Sequence, residues 1–201
     1  VQSGVFKGEI SSVTLSGRKG DIIISEDETP AKVNPEKIPQ LKPAFKKDGT
    51  VTAANSSSIS DGAAAVVLME RDYAEKAGHQ ILATVKGHAT FAHEPEWFTT
   101  APVGAIQKLC EQIGWSMDDV DLFEINEAFA VVTMAAMKDL KIPHEKVNIY
   151  GGACALGHPI GASGARLIVT LVHALRITNK KKGIASLCLG GGEAVAIAVE
   201  I

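Results

Sequence analysis

One helix near the end of the chain constrains the fold more than any other feature. A glycine-rich run at residues 151–161 leads into a predicted helix from Ala162 to Ile177, whose circumference is apolar almost all round over three turns. A helix with this pattern must be covered on every side. One sheet can cover only one side, so the pattern predicts a layered fold in which a second half of the protein supplies the other cover.

The segments around this helix alternate between strand and helix patterns. We predict strands and helices in the following places: strands at Ile81–Phe91, Leu122–Ile125, Gly183–Leu189 and Val195–Ile201, and helices at Asp72–Ala77, Val103–Ile113 and Ala128–Leu140. This alternation predicts the α/β class. The unbroken apolar run Ala63–Met69 predicts a further strand, buried on both faces.

The first 43 residues have a different texture. Gly4–Leu15 and Gly20–Ser25 predict strands, whereas the charged, proline-containing stretch Glu26–Pro43 predicts an irregular surface loop. This region is expected to be an excursion attached to a core.

Composition excludes several classes of protein. The formal net charge of −3 disfavours a general nucleic-acid binder, and no apolar run reaches the roughly 18 residues that a membrane helix needs. Three cysteines without paired spacing favour neither a disulfide framework nor a metal site, so we expect a reducing, cytoplasmic compartment. The chain starts at Val1 without a signal-peptide pattern, which suggests a processed product or a fragment.

Three segments combine reactive side chains with glycine. They are "NEAFA" (Asn126–Ala130), "GGACALGHPIGASGAR" (Gly151–Arg166) and "CLGGGEA" (Cys188–Ala194). Each puts a polar or nucleophilic group, namely Asn126, His158 or Cys188, at the end of a predicted element. Ligand sites of open α/β folds gather at such strand ends.

Taken singly, these residues have structural explanations. Asn126 could be a helix N-cap, His158 a structural histidine of its loop, and Cys188 a small buried hydrophobe. The small residues of "GASGA" could serve only close helix packing.

Taken together and in this order, the three motifs resemble those of the thiolase family. The stretch "DGTVTAANSSSISDGAAA" at residues 48–65 also falls where that family has its counterpart, so the resemblance covers nearly the whole chain. It implies a layered α/β, thiolase-like fold, present here as the C-terminal half with part of the loop domain. Residues 1–59 would be the remainder of the CoA-binding loop domain, 60–80 the last strand and helix of the N-terminal half-domain, and 81–201 the C-terminal half-domain.

The resemblance also implies catalytic roles. The acyl-carrying cysteine of thiolases lies upstream of this sequence, and His158 would accept its proton. Cys188 would act as acid and base at the α-carbon of the second acetyl group. Asn126, through a bound water and together with His158, would stabilise the enolate oxygen. The backbone N–H of Gly190 would contribute to the oxyanion hole.

Residues for coenzyme A follow from the same resemblance. Ser57 matches the family serine that hydrogen-bonds the pantetheine arm, with Ala53 beside it, and Phe45, Phe98 and Phe129 match positions lining the pantetheine tunnel. Two departures stand out, since many relatives carry Met at the position of Phe98 and "GGGMG" in place of "GGGEA". CoA thioesters are expected as substrates, with no cofactor and no metal.

The resulting expectation is an acetyl-CoA acetyltransferase of fatty acid metabolism. It would condense two acetyl-CoA molecules to acetoacetyl-CoA plus CoA, or run the reverse thiolysis, as a homo-oligomer whose missing N-terminal half completes the active site. This chain alone is predicted to be inactive. Three alternatives stay open: a longer-chain 3-ketoacyl-CoA thiolase, a decarboxylating condensing enzyme of fatty-acid synthesis, and a non-catalytic acyl-CoA-binding fragment. The second Cys in "C-x-GGG" disfavours the condensing enzyme, whose class uses two His and one Cys.

Overall fold

The computed structural model describes residues 1–201 and contains two separate sheets. A small antiparallel hairpin joins β1 (Val13–Gly17) to β2 (Gly20–Ile24). The main sheet has four strands in the order β3-β6-β5-β4, with β4 and β5 parallel and the other pairs antiparallel. Its strands are β3 (Thr84–Ala92), β4 (Leu122–Ile125), β5 (Lys182–Leu189) and β6 (Glu193–Glu200).

Five α-helices accompany these strands. They are α1 (Arg71–Lys76), α2 (Ala101–Ile113), α3 (Ala130–Leu140), α4 (Ala153–Leu156) and α5 (Ser163–Ile177). Short 3-10 helices occupy Val5–Gly8, Pro30–Lys32, Pro35–Gln40, Ala53–Asn55, Pro95–Thr100, Met117–Asp119 and His144–Lys146. The α/β class predicted from the sequence is confirmed.

The main sheet is the middle of three layers. Helices α2 and α3 pack on one face, where Phe123, Ile125 and Ile184 enter a core with Ile106 and Leu109 of α2. Helix α5 packs on the opposite face through Leu167, Leu171 and Leu175, which meet Leu122, Ala185 and Val199. Successive residues of a strand point to opposite faces, which is why neighbours such as Leu122 and Phe123 enter different cores.

Helix boundaries follow local chemistry. Pro102 occupies the first turn of α2, where its missing N–H costs nothing, and Gly114 ends the helix in the left-handed conformation at φ 70°. The predicted bounds of α2, α3, α5 and β4–β6 agree with the observed ones within about three residues. In the first region the agreement is poorer, because Val5–Gly8 forms a 3-10 helix inside the stretch predicted as the strand Gly4–Leu15.

The predicted strand at Ala63–Met69 is wrong for this chain. The segment forms no backbone hydrogen bond, and Val67 and Leu68 are 83% and 75% exposed. A strand needs a neighbour to satisfy its N–H and C=O groups, and no other part of these 201 residues supplies one.

The sequence predicts that this chain alone cannot cover α5 on every side, and the structure agrees. Its sheet-facing side is closed, but Ile168, Val169 and Val172 line a cleft of about 1180 Å³. The opposite wall of this cleft is formed by the irregular segment Val66–Met69 and by residues 79–85. The outer side of α5 is therefore only partly covered within this chain.

Candidate active site

Two of the three motif segments meet at one end of the main sheet. Ile125 of β4 is in register with Ser186 of the parallel β5, and the backbone N–H of Asn126 donates to the Ser186 carbonyl at 2.9 Å. Cys188 lies two residues beyond Ser186 on β5. Asn126 and Cys188 therefore share the carboxyl end of the parallel pair, as the sequence predicted.

The glycine-rich loop brings His158 to the same place. Its backbone N–H donates to the Ser58 carbonyl at 2.9 Å, so the loop is anchored against residues 58–59. The side-chain amide nitrogen of Asn126 lies 3.3 Å from Nε2 of His158, and Asn126 is completely buried. Two residues from separate motifs, 32 positions apart, thus face each other directly.

A buried serine fixes the tautomer of His158. Nδ1 of His158 lies 2.6 Å from Oγ of Ser163, and that hydroxyl also lies 3.1 Å from the carbonyl of Pro159. A carbonyl only accepts, so the hydroxyl hydrogen points to Pro159 and its oxygen accepts from the Nδ1–H of His158. The lone pair of the neutral ring is then on Nε2, where the Asn126 amide donates to it.

The electrostatics keep this ring neutral. Burial lowers the pKa of His158 below its ordinary value, and the positive charge of Arg166 lowers the pKa further. A neutral imidazole that carries a lone pair on Nε2 is a proton acceptor. The arrangement can therefore take a proton from a group that approaches Nε2.

Cys188 lies at the end of β5, opposite Ala194 in the hairpin to β6. Burial raises the pKa of its thiol above the ordinary value, and a backbone hydrogen bond lowers it in part. The resting thiol is thus protonated, and its thiolate is a strong base once formed.

The β5–β6 turn starts at Gly190, whose backbone is exposed and has open space around its Cα. Gly191 and Gly192 follow in the left-handed region at φ 87° and 86°. A side chain at Gly192 would meet the His93 carbonyl at 2.2 Å, so only glycine fits there.

The residues predicted for coenzyme A divide into two groups. Phe45 and Phe129 contact each other edge to face with ring centroids 5.9 Å apart, and both the backbone N–H and the hydroxyl of Ser57 donate to the Ala128 carbonyl. These three residues are brought together beside "NEAFA". Ala53 lies upstream in an exposed 3-10 turn, and Phe98 is half-buried against the core formed with α2 and α3.

Sequence reasoning missed Ser163, Glu127 and Asn148. These residues hydrogen-bond His158 or the backbone next to Asn126, or contact each other. Ser163 lies inside the quoted "GASGA", but nothing in that pattern distinguishes a hydroxyl aimed at a histidine from a small packing residue. Asn148 adopts a left-handed φ of 46°, which asparagine tolerates, and the Gly-Gly pair three residues after it was the available clue.

The structure has neither a metal-binding cluster nor a membrane-spanning helix. No group of three or more His, Cys, Asp or Glu side chains is arranged to hold a metal ion. None of the helices combines the length and apolarity that crossing a bilayer requires.

Comparison with known proteins adds independent information. The family model described as "Thiolase, C-terminal domain" matches residues 79–201, and "Thiolase, N-terminal domain" matches residues 1–72. A "Probable acetyl-CoA acetyltransferase" of Dictyostelium discoideum is 50% identical over 200 residues, covering 99% of this chain and 48% of that protein.

Solved structures also match this chain. The acetyl-CoA acetyltransferase of Bacillus anthracis matches with a TM-score of 0.95 at 45% identity, over 99% of this chain and 51% of that one. Human mitochondrial 3-ketoacyl-CoA thiolase matches with a TM-score of 0.90 at 34% identity, over 99% and 51% of the two chains. The chain thus spans about half the length of the relatives it matches.

Proposed function

The chain belongs to the thiolase family, and from that premise we propose that it forms the later part of a thiolase acyltransferase. The reaction is the condensation of two acetyl-CoA molecules to acetoacetyl-CoA plus CoA, or the reverse thiolysis. The acyl-carrying cysteine comes from residues upstream of this sequence, since the chain spans about half of its relatives.

One observation carries the proposal. The Nε2 lone pair of His158 is directed at the Asn126 amide, 3.3 Å away, at the end of the sheet where Cys188 also lies. An enolate needs hydrogen-bond donors at its oxygen and a base at its α-carbon, in a site that excludes water. Asn126 supplies one donor, His158 supplies a second while its Nε2 is protonated, and Cys188 supplies the base.

The residues act in two stages. In the first, neutral His158 accepts the proton of the upstream thiol, the thiolate attacks the acetyl-CoA carbonyl, and CoA leaves with that proton. In the second, the Cys188 thiol passes its proton to His158, and the resulting Cys188 thiolate removes an α-proton from a second acetyl-CoA. The enolate attacks the acyl-enzyme, and the released upstream thiolate takes the proton back from His158. The Gly190 N–H stabilises the oxyanion of the acyl-enzyme in each stage.

Substrate binding draws on the segment beside "NEAFA". The Phe45–Phe129 pair offers an aromatic wall, of which Phe45 is 73% exposed and open to a ligand. Ser57 and Ala53 line the approach to it, and Phe98 takes part from the short helix before α2. The CoA thioester is the substrate, and the proposed chemistry calls for no further cofactor.

The remaining proposals concern the assembly and its compartment. The cleft beside α5 and the unpaired segment Ala63–Met69 support an upstream half that completes the site, within a homo-oligomer. The three cysteines are all free, which supports a reducing compartment such as the cytoplasm.

A longer-chain 3-ketoacyl-CoA thiolase is the second candidate. The likeness to the human 3-ketoacyl-CoA thiolase favours it. Thiolysis rates of the full-length protein with acetoacetyl-CoA and with a longer 3-ketoacyl-CoA would separate the two candidates.

The direct test is Cys188→Ser in the full-length protein. Acylation by acetyl-CoA should stay near wild type, whereas exchange of α-protons of acetyl-CoA with deuterated solvent should fall by about 10²–10⁴-fold. Cys110→Ala, at a buried position of α2, is the matched control and should leave exchange unchanged. Wild-type exchange in Cys188→Ser would remove Cys188 from the base role.

A further inference from the structure

We propose that Glu127 and Asn148 form a clamp that positions Asn126 for its work at the enolate. The inference rests on the proposed function, because only there does Asn126 have a catalytic task. Neither clamp residue needs to touch the substrate, so both are positioning residues.

The first half of the clamp is the Asn148 side chain, which hydrogen-bonds the backbone at the edge of the main sheet. Strand β4 is the edge strand of the main sheet, and it ends at Ile125. The Asn148 side chain closes that edge, since its Oδ1 accepts from the Ile125 N–H at 2.8 Å and its Nδ2 donates to the Ile125 carbonyl at 2.8 Å. The backbone N–H of Asn148 donates to the Phe123 carbonyl at 2.9 Å, which fixes Asn148 itself.

The second half is a carboxylate held between two donors. Oε1 of Glu127 accepts from Nδ2 of Asn148 at 2.8 Å, and Oε2 accepts from the backbone N–H of Cys154 at 3.1 Å. Both oxygens face donors, so the ionised carboxylate is the form that fits. Gly152 makes room for it, because a Cβ there would lie 2.4 Å from the Glu127 carboxyl carbon.

Asn126 depends on these neighbours for its orientation. Its side chain has one protein partner, the His158 ring at 3.3 Å, and its buried Oδ1 has none. A single long hydrogen bond holds an amide loosely. The residues on either side of Asn126 are therefore what fixes it, and both are held by Asn148.

The clamp also joins the two catalytic loops. Cys154, which Glu127 binds, lies in α4 at the start of the loop that carries His158. One carboxylate thus ties the segment of Asn126 to the segment of His158 and sets the distance between them. A displacement of about 1 Å at such a site can cost on the order of 100-fold in rate.

The test uses the full-length protein and three variants: Glu127→Gln, Asn148→Asp and the double variant. Glu127→Gln leaves two donors facing each other, whereas Asn148→Asp places two carboxylates side by side and also removes the donor to the Ile125 carbonyl. We expect α-proton exchange to fall about 10–100-fold in each single variant, with acylation of the upstream cysteine within about 3-fold of wild type. In the double variant, the new amide at position 127 can donate to the new carboxylate at position 148. If the two single losses were independent, they would multiply. The exchange rate of the double variant should be at least about 5-fold higher than that multiplied expectation.

Glu145→Gln, at an exposed site three residues before Asn148, is the matched control and should exchange at the wild-type rate. Thermal unfolding of all variants separates positioning from collapse. Equal loss of acylation and exchange, in step with a lowered melting temperature, would reduce the pair to a structural role and overturn the inference. Strictly multiplicative losses in the double variant would overturn the clamp as well. Single variants that exchange like wild type would overturn the clamp alone, whereas a wild-type protein without exchange would overturn the proposed function and the clamp with it.

Discussion

The residues before and after position 84 are built in different ways. Only Phe6 and Ala74 among the 41 buried residues precede position 84, and the rest belong to the three-layered region behind it. The hairpin β1–β2 shows the contrast best. Val13, Leu15, Ile22 and Ile24 share one of its faces by register, yet they are 38–62% exposed.

The two regions differ in whether they can cover their own apolar surfaces. Residues 84–201 cover their own sheet on both faces and hold Asn126 and Cys188 in place by internal contacts. His158 is held by Ser163 from the same region and by the Ser58 carbonyl from the earlier one. The earlier residues have the apolar pattern of packed elements without the neighbours to pack against. Apolar faces of this size on adjoining elements are typical of surfaces made to be covered.

The largest expected effect tests whether the two regions together suffice for catalysis. The 201-residue chain should show no thiolysis of acetoacetyl-CoA, because it lacks the acyl-carrying cysteine proposed upstream, while the full-length protein should turn over. The assay is CoA-dependent loss of acetoacetyl-CoA. Robust turnover by the short chain would break the comparison and direct the search for a nucleophile to Cys110, Cys154 and Cys188.

The next effect compares one serine from each region. Ser163→Ala in the full-length protein removes the acceptor for Nδ1–H of His158 and frees the ring to change tautomer. We expect acylation to slow by about 10-fold, the cost of one buried hydrogen bond to the catalytic ring. Ser12→Ala, in the exposed first region, should have no effect.

The pH profile sharpens this result. The pKa of His158 is lowered from 6.5, so the ring stays neutral and able to accept a proton below that pH. The wild-type rate of acylation should therefore begin to fall only below pH 6.5. A rate for Ser163→Ala equal to that of wild type across this range would show that the serine does not set the tautomer.

Sequence patterns predicted the later region well for a physical reason. In α2, α3 and β4–β6, the hydrophobic periodicity and the contacts that satisfy it lie within the same 118 residues, 84–201. The strand prediction at Ala63–Met69 was wrong because an apolar run indicates that residues are buried but does not indicate which part of the polypeptide buries them.

The site shows a similar limit. Asn126, His158 and Cys188 were found because their motifs are distinctive, and the structure brings the first two together. The supports of the site act through individual side-chain hydrogen bonds. Ser163 contacts His158, and Asn148, in a left-handed backbone conformation, contacts Ile125 and Glu127 more than 20 residues earlier. No periodicity records contacts of that kind.

The smallest effect concerns a buried acid. Burial raises the pKa of Glu124 to about 8 against an ordinary value of 4.5, although Arg166 lowers it in part. Between these values the folded protein holds a proton that the unfolded chain has released, so this group makes the protein less stable as the pH rises.

Glu124→Gln removes that dependence. Relative to wild type, the free energy of unfolding of the variant should rise by about 1–2 kcal/mol between pH 5 and pH 7, measured by thermal unfolding of the full-length protein. Glu36→Gln, at an exposed position of the first region, is the control and should follow wild type at both pH values. A constant difference between Glu124→Gln and wild type would mean that Glu124 is ionised throughout.

Sedimentation of the 201-residue chain at low micromolar concentration tests the central contrast most directly. If the earlier region carries surfaces that another part of the protein covers, the isolated chain should associate, and a hydrophobic dye should bind to it but not to the full-length protein. A compact monomer that leaves the dye silent would contradict the account, because the hairpin face, the segment Ala63–Met69 and the cleft beside α5 would then need no cover.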